Sequence, residues 1–373
     1  MKVLSINSYY YGSSVHKNLK YTMDEIGIDF LNYVPMYRGA SPMVGRFLET
    51  DKNTINSFCY NYYERYIFHL KHWSILKDIK KKVNVDQFDC MHAHSLFSNG
   101  YIAYKLNQKY NVPYIVAVRN TDIYTFFKTM FHLRKIGLEI LKKASYIVFL
   151  SQSYKDTLIE EYVPNSLTNN ISKKCIVIPS GIDKFWFDHT GIAKRLKKSN
   201  EISLLHVGNI NSNKNLFTTL KAIELLIQQG YIIKYTAVGK IRNKDIFSEI
   251  EKKTYFNYIE RVKKEELLDI YKQNDILVVP SITETFGLVY PEAMSQGLPV
   301  IYTRGQGFDK HFEEGVIGYS VQANNPEEIA QRILDIVNNY ELISKNCIEK
   351  VLKFQWDDIG LQYKKLYEKV LNS

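Results

Sequence analysis

Two glutamates of one short segment have surroundings that suggest ligand chemistry. Glu284 and Glu292 flank Phe286-Gly287-Leu288, and an apolar, strand-like run precedes them. Carboxylates here could accept hydrogen bonds from ligand hydroxyls, and a helix that begins at Gly287 would offer free N–H groups to a phosphate. Two exposed glutamates on an amphipathic helix are the simpler alternative. The Phe-Gly before the helix and the Gly-Leu-Pro after it favour a ligand site.

The same segment sets how far apart the two carboxylates can lie. The sequence predicts a helix from Gly287 to about Gln296, ended by Gly297. Eight helical residues span about 12 Å, so Glu284 and Glu292 are not expected to share a metal ion. We expect them to contact different parts of an extended ligand, one at a sugar and the other at a ribose.

A lysine lies at a second strand-to-helix turn. Lys214 ends the loop that begins at Gly208, between a predicted strand, Ile202–Val207, and a predicted helix, Leu216–Gln229. An ammonium at such a turn can bind a diphosphate and stabilise its charge as it leaves. The spacing is not that of a P-loop. Alone, the lysine fits an exposed surface residue equally well, but together with the Glu284 segment it favours a ligand site.

These two segments, together with Ile178-Pro-Ser-Gly181-Ile-Asp183 and Phe354-Gln-Trp356, resemble glycosyltransferase family 4, and the likeness covers nearly the whole chain. The resemblance implies an α/β protein of the GT-B type, with two doubly wound Rossmann-like domains facing a central cleft. It implies a retaining transfer from a UDP- or GDP-sugar to a glycan or lipid-linked acceptor, in cell-surface polysaccharide biosynthesis. The transfer is expected to be metal-independent because the chain has no D-x-D triplet. No cofactor is expected.

The resemblance also assigns roles to residues of this chain. It implies that Lys214 binds the donor diphosphate, that Glu284 contacts the transferred sugar and that Glu292 holds the ribose. Further donor contacts are expected from loop residues of both domains: Gly12, Gly208, Asn209, Phe286, Gly287 and Leu288.

Three positions depart from the family pattern. Asn209 replaces the usual arginine of the lysine loop, and Arg242 or Arg304 would have to substitute for it. The first loop has one glycine, Gly12, instead of a pair. Arg119 stands where a histidine is common, and it cannot act as a base because a guanidinium stays protonated. Arg119 and Asp122 are candidate catalytic residues, with Arg119 binding an anionic group of a substrate near the reacting sugar. Alternatively, the two form a structural ion pair.

Length and patterning indicate two domains. A chain of 373 residues with alternating strand and helix patterns predicts two parallel sheets covered by helices. We place an N-terminal acceptor-binding domain at 1–180, a linker at 181–200, a C-terminal nucleotide-sugar-binding domain at 201–355, and at 356–373 a helix that can return to the first domain. The predicted strands are Lys2–Asn7, Ile28–Val34, Phe88–Ala93, Tyr114–Val118, Tyr146–Leu150, Cys175–Ile178, Ile202–Val207, Ile232–Val238, Asp275–Val279, Leu298–Tyr302 and Gly318–Val321.

No metal centre is expected. His92 and His94 share one face of a predicted strand, but without a third ligand a role in the core or in lining a cleft is favoured over metal binding. The chain has no D-x-D triplet. Its four cysteines are far apart in the sequence, which predicts reduced thiols.

Charge leaves open a contact with a membrane surface. The net charge is +10 and the pI about 9.1, which suits anionic partners. Residues 64–82 mix six basic residues with aromatic ones. A helix with a solvated basic face is slightly favoured over a contact with anionic lipid. No nucleic-acid module, signal peptide or membrane span is predicted, so we expect a cytoplasmic protein, in the second case peripheral on the inner face of the cell membrane.

Two other functions fit the same segments. A nucleotide-sugar epimerase of the same fold would convert its donor without an acceptor. A non-catalytic subunit that binds nucleotide sugars or glycans is made possible by the changes at Asn209 and Arg119.

Overall fold

A computed structural model of the chain describes residues 1–40 and 53–372. It divides into two compact units. The first unit comprises Met1–Ser180 and the chain from Trp356 onward, and the second comprises Gly181–Gln355. Residues 181–200, expected to be a linker, belong to the second unit and include a short helix.

The first unit is built on a parallel sheet. Its strands are β1 (Lys2–Ile6), β2 (Asp29–Tyr37), β3 (Thr54–Tyr60), β4 (Cys90–Ala93), β5 (Tyr114–Val118), β6 (Tyr146–Phe149) and β7 (Cys175–Val177). They lie in the order β3-β2-β1-β4-β5-β6-β7. The chain winds outward in opposite directions from β1 and β4, and sheets of this kind bind ligands beyond the strand ends at that reversal.

Helices cover this sheet, and the second unit has helices of its own. Those of residues 1–180 are α1 (Ser14–Glu25), α2 (Phe68–Lys82), α3 (Gly100–Tyr110), α4 (Arg134–Lys143), α5 (Gln152–Tyr162) and α6 (Asn165–Ser172). The helices of the second unit are α7 (Phe185–Asp188), α8 (Leu216–Gln228), α9 (Lys244–Ile250), α10 (Lys264–Gln273), α11 (Val289–Met294), α12 (Pro326–Asn338) and α13 (Tyr340–Lys350).

The second unit repeats the doubly wound plan. Its parallel strands are β8 (Glu201–Val207), β9 (Ile232–Val238), β10 (Phe256–Ile259), β11 (Ile276–Val278), β12 (Val300–Thr303) and β13 (Gly318–Val321). Their order is β10-β9-β8-β11-β12-β13. The winding reverses between β8 and β11, so the loops that follow these two strands are neighbours. Those loops carry Lys214 and Glu284.

The last helix, α14 (Trp356–Leu371), packs on the first unit. Its apolar face joins a buried cluster with residues of β1, β2 and α1, among them Val3, Met23 and Phe30. The hydroxyl of Tyr367 is hydrogen-bonded to His92 Nδ1 at 2.7 Å. The sheet of the first unit therefore takes one of its covering helices from the end of the chain.

The helix expected after Gly287 is shorter than predicted. Gly287 has φ +82° and Gly297 has φ +73°, and neither value is helical. The regular helix covers Val289–Met294, between these two glycines. No helix within residues 1–40 and 53–372 combines the length and the apolar character that crossing a membrane requires.

Candidate functional site

The loop after β8 presents Lys214. Gly208 begins this loop with φ +154°, and a Cβ there would lie 3.2 Å from Lys214 Cε. The side chain of Asn211 then accepts a hydrogen bond from the backbone N–H of Lys214 at 3.0 Å. Asn215 follows in the left-handed region and begins α8. The lysine is thus fixed at its backbone in the turn that precedes α8.

The ammonium of Lys214 contacts Glu284. Its Nζ lies 2.5 Å from Glu284 Oε2, and both side chains are less than one-fifth exposed. Ser281 Oγ also donates to Oε2, at 3.4 Å. The structure therefore brings together the two residues that the sequence placed at one ligand. A lysine ammonium has three N–H donors, so the contact with Glu284 leaves donors for a phosphate.

Asn213 joins the two loops, and sequence reasoning missed it. Its side-chain oxygen accepts hydrogen bonds from the N–H and the hydroxyl of Thr283, at 3.0 and 2.7 Å. Its amide nitrogen donates to the carbonyl oxygen of Thr283, and its backbone carbonyl accepts from the N–H of Ile282. The Asn-rich composition of the loop was the one available signal. These bonds fix the distance between Lys214 and Glu284.

A third loop supports Glu284 from behind. The side chain of Gln306 accepts a hydrogen bond from the backbone N–H of Glu284 at 2.9 Å. The N–H of Gly307 donates to the carbonyl of Glu284 at 3.1 Å. A Cβ on Gly307 would overlap the carbonyl oxygen of Thr285. The Gly305-Gln-Gly307 stretch therefore needs its second glycine to pack against the Glu284 loop.

The backbone of Phe286-Gly287-Leu288 has N–H groups available for a ligand. Within the described part of the chain, none of these three N–H groups donates a hydrogen bond. Gly287 cannot be replaced without strain, because a Cβ would lie 2.2 Å from the ring of Tyr290. The Phe286 ring is buried, with its centroid 5.7 Å from that of Phe354. The turn is thus anchored by one buried ring while its amides stay unsatisfied.

Glu292 lies in the first turn of α11, in a less polar place than Glu284. Its Oε2 is 3.5 Å from the hydroxyl of Tyr271. Burial raises the pKa of Glu292 to about 7, and the negative charge of Asp183 adds to the rise, while hydrogen bonds from Tyr271 and Trp186 oppose it. The two carboxylates therefore differ: Glu284 contacts a cation and Glu292 contacts aromatic side chains.

The remaining predicted residues lie in the first unit. Gly12 is exposed in a short turn after β1. Asp122 is buried, and its carboxylate accepts the backbone N–H groups of Leu96, Phe97 and Arg119 at 3.0, 3.1 and 2.9 Å. Burial raises the pKa of Asp122, and these three hydrogen bonds oppose the rise. Asp122 thus ties together the loops after β4 and β5.

His92 in β4 and His94, which follows β4, are buried in the first unit. The rings of His92 and His94 are stacked with centroids 4.1 Å apart. His92 is hydrogen-bonded to Tyr367, and His94 Nε2 lies 3.0 Å from Ser5 Oγ. Across the described ranges, no three His, Cys, Asp or Glu side chains are grouped as metal ligands would be. All four cysteines are free thiols.

Comparison with known families agrees with this geometry. Residues 37–184 match the model described as Glycosyltransferase Family 4, and residues 189–353 match the model described as Glycosyl transferases group 1. The chain belongs to glycosyltransferase family 4. An uncharacterized glycosyltransferase of Methanocaldococcus jannaschii is 25% identical over 338 residues, which cover 85% of this chain and 89% of the relative. This protein is therefore a glycosyltransferase.

Solved structures show the fold of this family 4 glycosyltransferase. A sucrose-phosphate synthase from Thermosynechococcus elongatus superposes with a TM-score of 0.75 at 18% identity, covering 100% of this chain and 99% of the other. The Anabaena protein HepE, in complex with UDP, superposes with a TM-score of 0.73 at 14% identity, covering 99% and 100%. The two doubly wound units are those of the GT-B fold.

In the lysine loop of this family 4 glycosyltransferase, Asn209 stands where an arginine was expected, and the Asn209 side chain is exposed. Arg304 is engaged elsewhere, because it donates to Ser320 and pairs with Glu328 at 2.5 Å. Arg242 is exposed, and its backbone N–H donates to the carbonyl of Ile210 within the loop. Of the two arginines considered as substitutes, Arg242 is therefore the one beside the lysine loop.

Proposed function

We propose that the second unit binds a nucleotide-sugar donor whose diphosphate lies against Lys214 and the N–H groups of Phe286-Gly287-Leu288. The observation that carries this proposal is the contact of Lys214 with Glu284 beside a glycine turn with unsatisfied amides. An ammonium and free N–H groups favour a diphosphate. The UDP bound to the Anabaena neighbour supports a nucleotide donor. Glu284 then contacts the transferred sugar and Glu292 the ribose.

The reaction we propose is transfer with retention of configuration. The acceptor hydroxyl forms a bond to the anomeric carbon while the bond from that carbon to the diphosphate breaks. The electron pair stays on the diphosphate, which also receives the hydroxyl proton. Charge builds on the diphosphate, and Lys214 stabilises it there. Because a lysine and backbone amides supply this stabilisation and the sequence has no D-x-D triplet, we infer that no metal ion is required.

We place the acceptor, a glycan or a lipid-linked glycan, on the first unit. The supporting feature is the aromatic-basic surface, defined here as Tyr62, Tyr63, Tyr66, Ile67 and Trp73 with Arg65, Lys77, Lys80 and Lys81. All nine side chains are exposed. We infer that the enzyme works in the cytoplasm at the inner face of the cell membrane, in the assembly of cell-surface polysaccharide.

Two substitutions test the donor site. Lys214→Ala and Glu284→Gln should each lower the rate of nucleotide release from the accepted donor by about 100-fold or more, because each removes a group at the reacting centre. The assay uses UDP- and GDP-sugars with glycan acceptors, and Lys252→Ala, an exposed lysine of the same unit, is the matched control.

The variants must stay folded for the test to count. Circular dichroism and thermal melting of both variants should match the wild type within a few degrees. Wild-type activity in either variant would refute the assignment. Conversion of the donor without any acceptor would instead identify the protein as an epimerase.

A further inference from the structure

The carboxyl ends of β1, β4 and β5 bring together polar side chains of the first unit. Tyr9 and His16 follow β1, His94 follows β4, and Arg119 follows β5. The rings of His16 and His94 have centroids 5.3 Å apart, and those of Tyr9 and His16 are 6.5 Å apart. This cluster lies where the winding of the first sheet reverses, the place at which doubly wound sheets bind ligands.

Arg119 is the cation of this cluster, and its position is fixed. Its Nε donates a hydrogen bond to the carbonyl oxygen of His94 at 3.0 Å. The side chain is partly buried, and burial lowers the pKa of the guanidinium from its ordinary value. Among the residues that the structure describes, the two terminal nitrogens of Arg119 form no hydrogen bond or ion pair.

The acid that could neutralise Arg119 is already engaged. The carboxylate oxygens of Asp122 accept three backbone N–H groups, and the two side chains form no ion pair. This geometry does not support the structural ion pair considered from the sequence. The negative charge of Asp122 stabilises the Arg119 guanidinium through space, but it does not occupy the two terminal nitrogens. Such a guanidinium is typical of a site that receives an anion.

The neighbouring histidines carry no charge, and they have unused polar atoms. Burial lowers the pKa of His16 to about 3, and the positive charge of Arg119 adds to that effect. Burial likewise lowers the pKa of His94. Both rings are therefore neutral at physiological pH. Within the described residues, the Nδ1 atoms of His16 and His94 are buried without a hydrogen-bond partner.

We propose that the first unit binds a substrate carrying an oxyanion, a phosphate or a carboxylate, and that the terminal nitrogens of Arg119 receive it. A planar guanidinium donates two parallel hydrogen bonds to such a group, which a lysine cannot do. The His16 ring, in the tautomer that carries its proton on Nδ1, can donate a further hydrogen bond. That the ligand is a sugar rests on the proposed function. The Arg119 site adds that this sugar carries a negative charge.

Calorimetric titration of the full chain tests this proposal. The probes are inorganic phosphate, glucose 6-phosphate, glucuronate and glucose, in a buffer free of other oxyanions. The two charged sugars distinguish a phosphate from a carboxylate, and at least one should bind more tightly than glucose. Arg119→Gln should weaken that binding by about 10-fold or more, because a charge-assisted pair is lost. Arg119→Lys should recover part of it.

A matched variant and a second ligand separate the possible failures. Arg38→Gln removes one exposed positive charge from the same unit and should bind the charged sugar as the wild type does. UDP and GDP, titrated in parallel, report on the donor site, where Lys214→Ala should lose binding and Arg119→Gln should not. If the wild type binds neither UDP nor GDP, that result counts against the proposed function and not against the anion site.

Two results would overturn the anion site. One is equal affinity of the wild type for glucose and for both charged sugars, which decides the matter even if Arg119→Gln fails to fold. The other is wild-type affinity of a folded Arg119→Gln protein for the charged sugar.

Discussion

Glu284 and Glu292 show how neighbours give two chemically equal side chains different properties. Glu284 contacts an ammonium at 2.5 Å. Glu292 has the hydroxyl of Tyr271 beside it and the negative charge of Asp183 nearby, and burial raises its pKa to about 7. A carboxylate with this pKa changes its charge within the physiological range, so the donor site should respond to pH through Glu292.

The first prediction concerns nucleotide affinity and pH. As the pH falls through about 7, Glu292 gains a proton and no longer accepts hydrogen bonds from both ribose hydroxyls. We expect UDP or GDP, whichever binds, to lose affinity several-fold between about pH 8 and pH 6. Calorimetric titration across this range measures the effect. The Glu292→Gln variant, titrated with the same nucleotide, corrects for protonation of the nucleotide itself.

Stability should follow the same titration with a defined sign. The pKa of Glu292 is raised from 4.5 to about 7 in the folded state, so the native protein binds more protons than the unfolded chain between these values. Its contribution to the free energy of unfolding is therefore largest below about pH 4.5 and is lost as the pH rises to 7. Urea unfolding of Glu292→Gln should lack this decline. Identical pH profiles for wild type and variant would contradict the assignment.

Residue types allowed the central pair of the site to be predicted, but not its supports. Lys214 and Glu284 could be placed at one ligand because each lies in a charged loop between a predicted strand and a predicted helix. Asn213 and Gly307 could not be selected from the sequence, because their roles are contacts between loops far apart in the chain. Likewise, the sequence could not show that the Nε atom of Arg119 is hydrogen-bonded to the carbonyl oxygen of His94.

At the scale of elements, α14 completes the first unit. The hydroxyl of Tyr367 reaches His92 in the central strand β4, and Ile359 is fully buried. Gly360 lies where α14 and α1 touch, and a Cβ there would be 2.4 Å from Thr22 Cγ2. Close approach of these two helices therefore depends on one residue without a side chain.

The second prediction tests this helix contact. Gly360→Val forces extra atoms against Thr22, and overpacking of this kind costs about 1–3 kcal/mol. The free energy of unfolding from urea titration should fall by that amount. Leu361→Val changes an exposed neighbour on the same helix and should stay within about 0.5 kcal/mol of the wild type. Equal stability of Gly360→Val and the wild type would show that the helices can separate without loss.

The strands in the middle of the two sheets could be predicted from their apolar runs, and so could the edge strands β7 and β13. Tyr114–Val118 and Ile232–Val238 have the bounds expected from the sequence. β3 (Thr54–Tyr60) and β10 (Phe256–Ile259) were missed, and each is an edge strand. Edge strands bury less side-chain surface, so β3 carries polar residues where a central strand carries valine and isoleucine.

At the scale of the whole molecule, part of the net charge of +10 is concentrated on the aromatic-basic surface. The two acidic residues of segment 64–82, Glu64 and Asp78, do not contribute to that surface. Glu64 is buried, and Asp78 is bonded to Tyr33, Ser57 and Lys82. The exposed side chains are therefore aromatic, aliphatic or cationic, with Lys77 over the ring of Trp73 at 5.2 Å. This composition suits an interface with anionic lipid more than a solvated helix face.

The third prediction is that the protein binds anionic membranes through this surface. Sedimentation with vesicles containing phosphatidylglycerol should remove it from solution, whereas vesicles of phosphatidylcholine alone should not. Each cation near an anionic surface contributes about 1 kcal/mol, so Lys80→Gln with Lys81→Gln should weaken binding at least about 10-fold, and added salt should weaken the wild type.

The aromatic side chains should matter separately from the charges. Tyr66→Ser with Trp73→Ser removes two rings that are 77% and 59% exposed, so little of the fold depends on them. Binding should fall while thermal stability is kept. The control Tyr21→Ser removes an aromatic ring of the same unit, 45% exposed, outside this surface. Membrane contact needs both parts of the surface, because charge attracts the protein and the rings insert at the interface. Unchanged binding in the double serine variant, or equal binding to both kinds of vesicle, would leave the segment a solvated helix face.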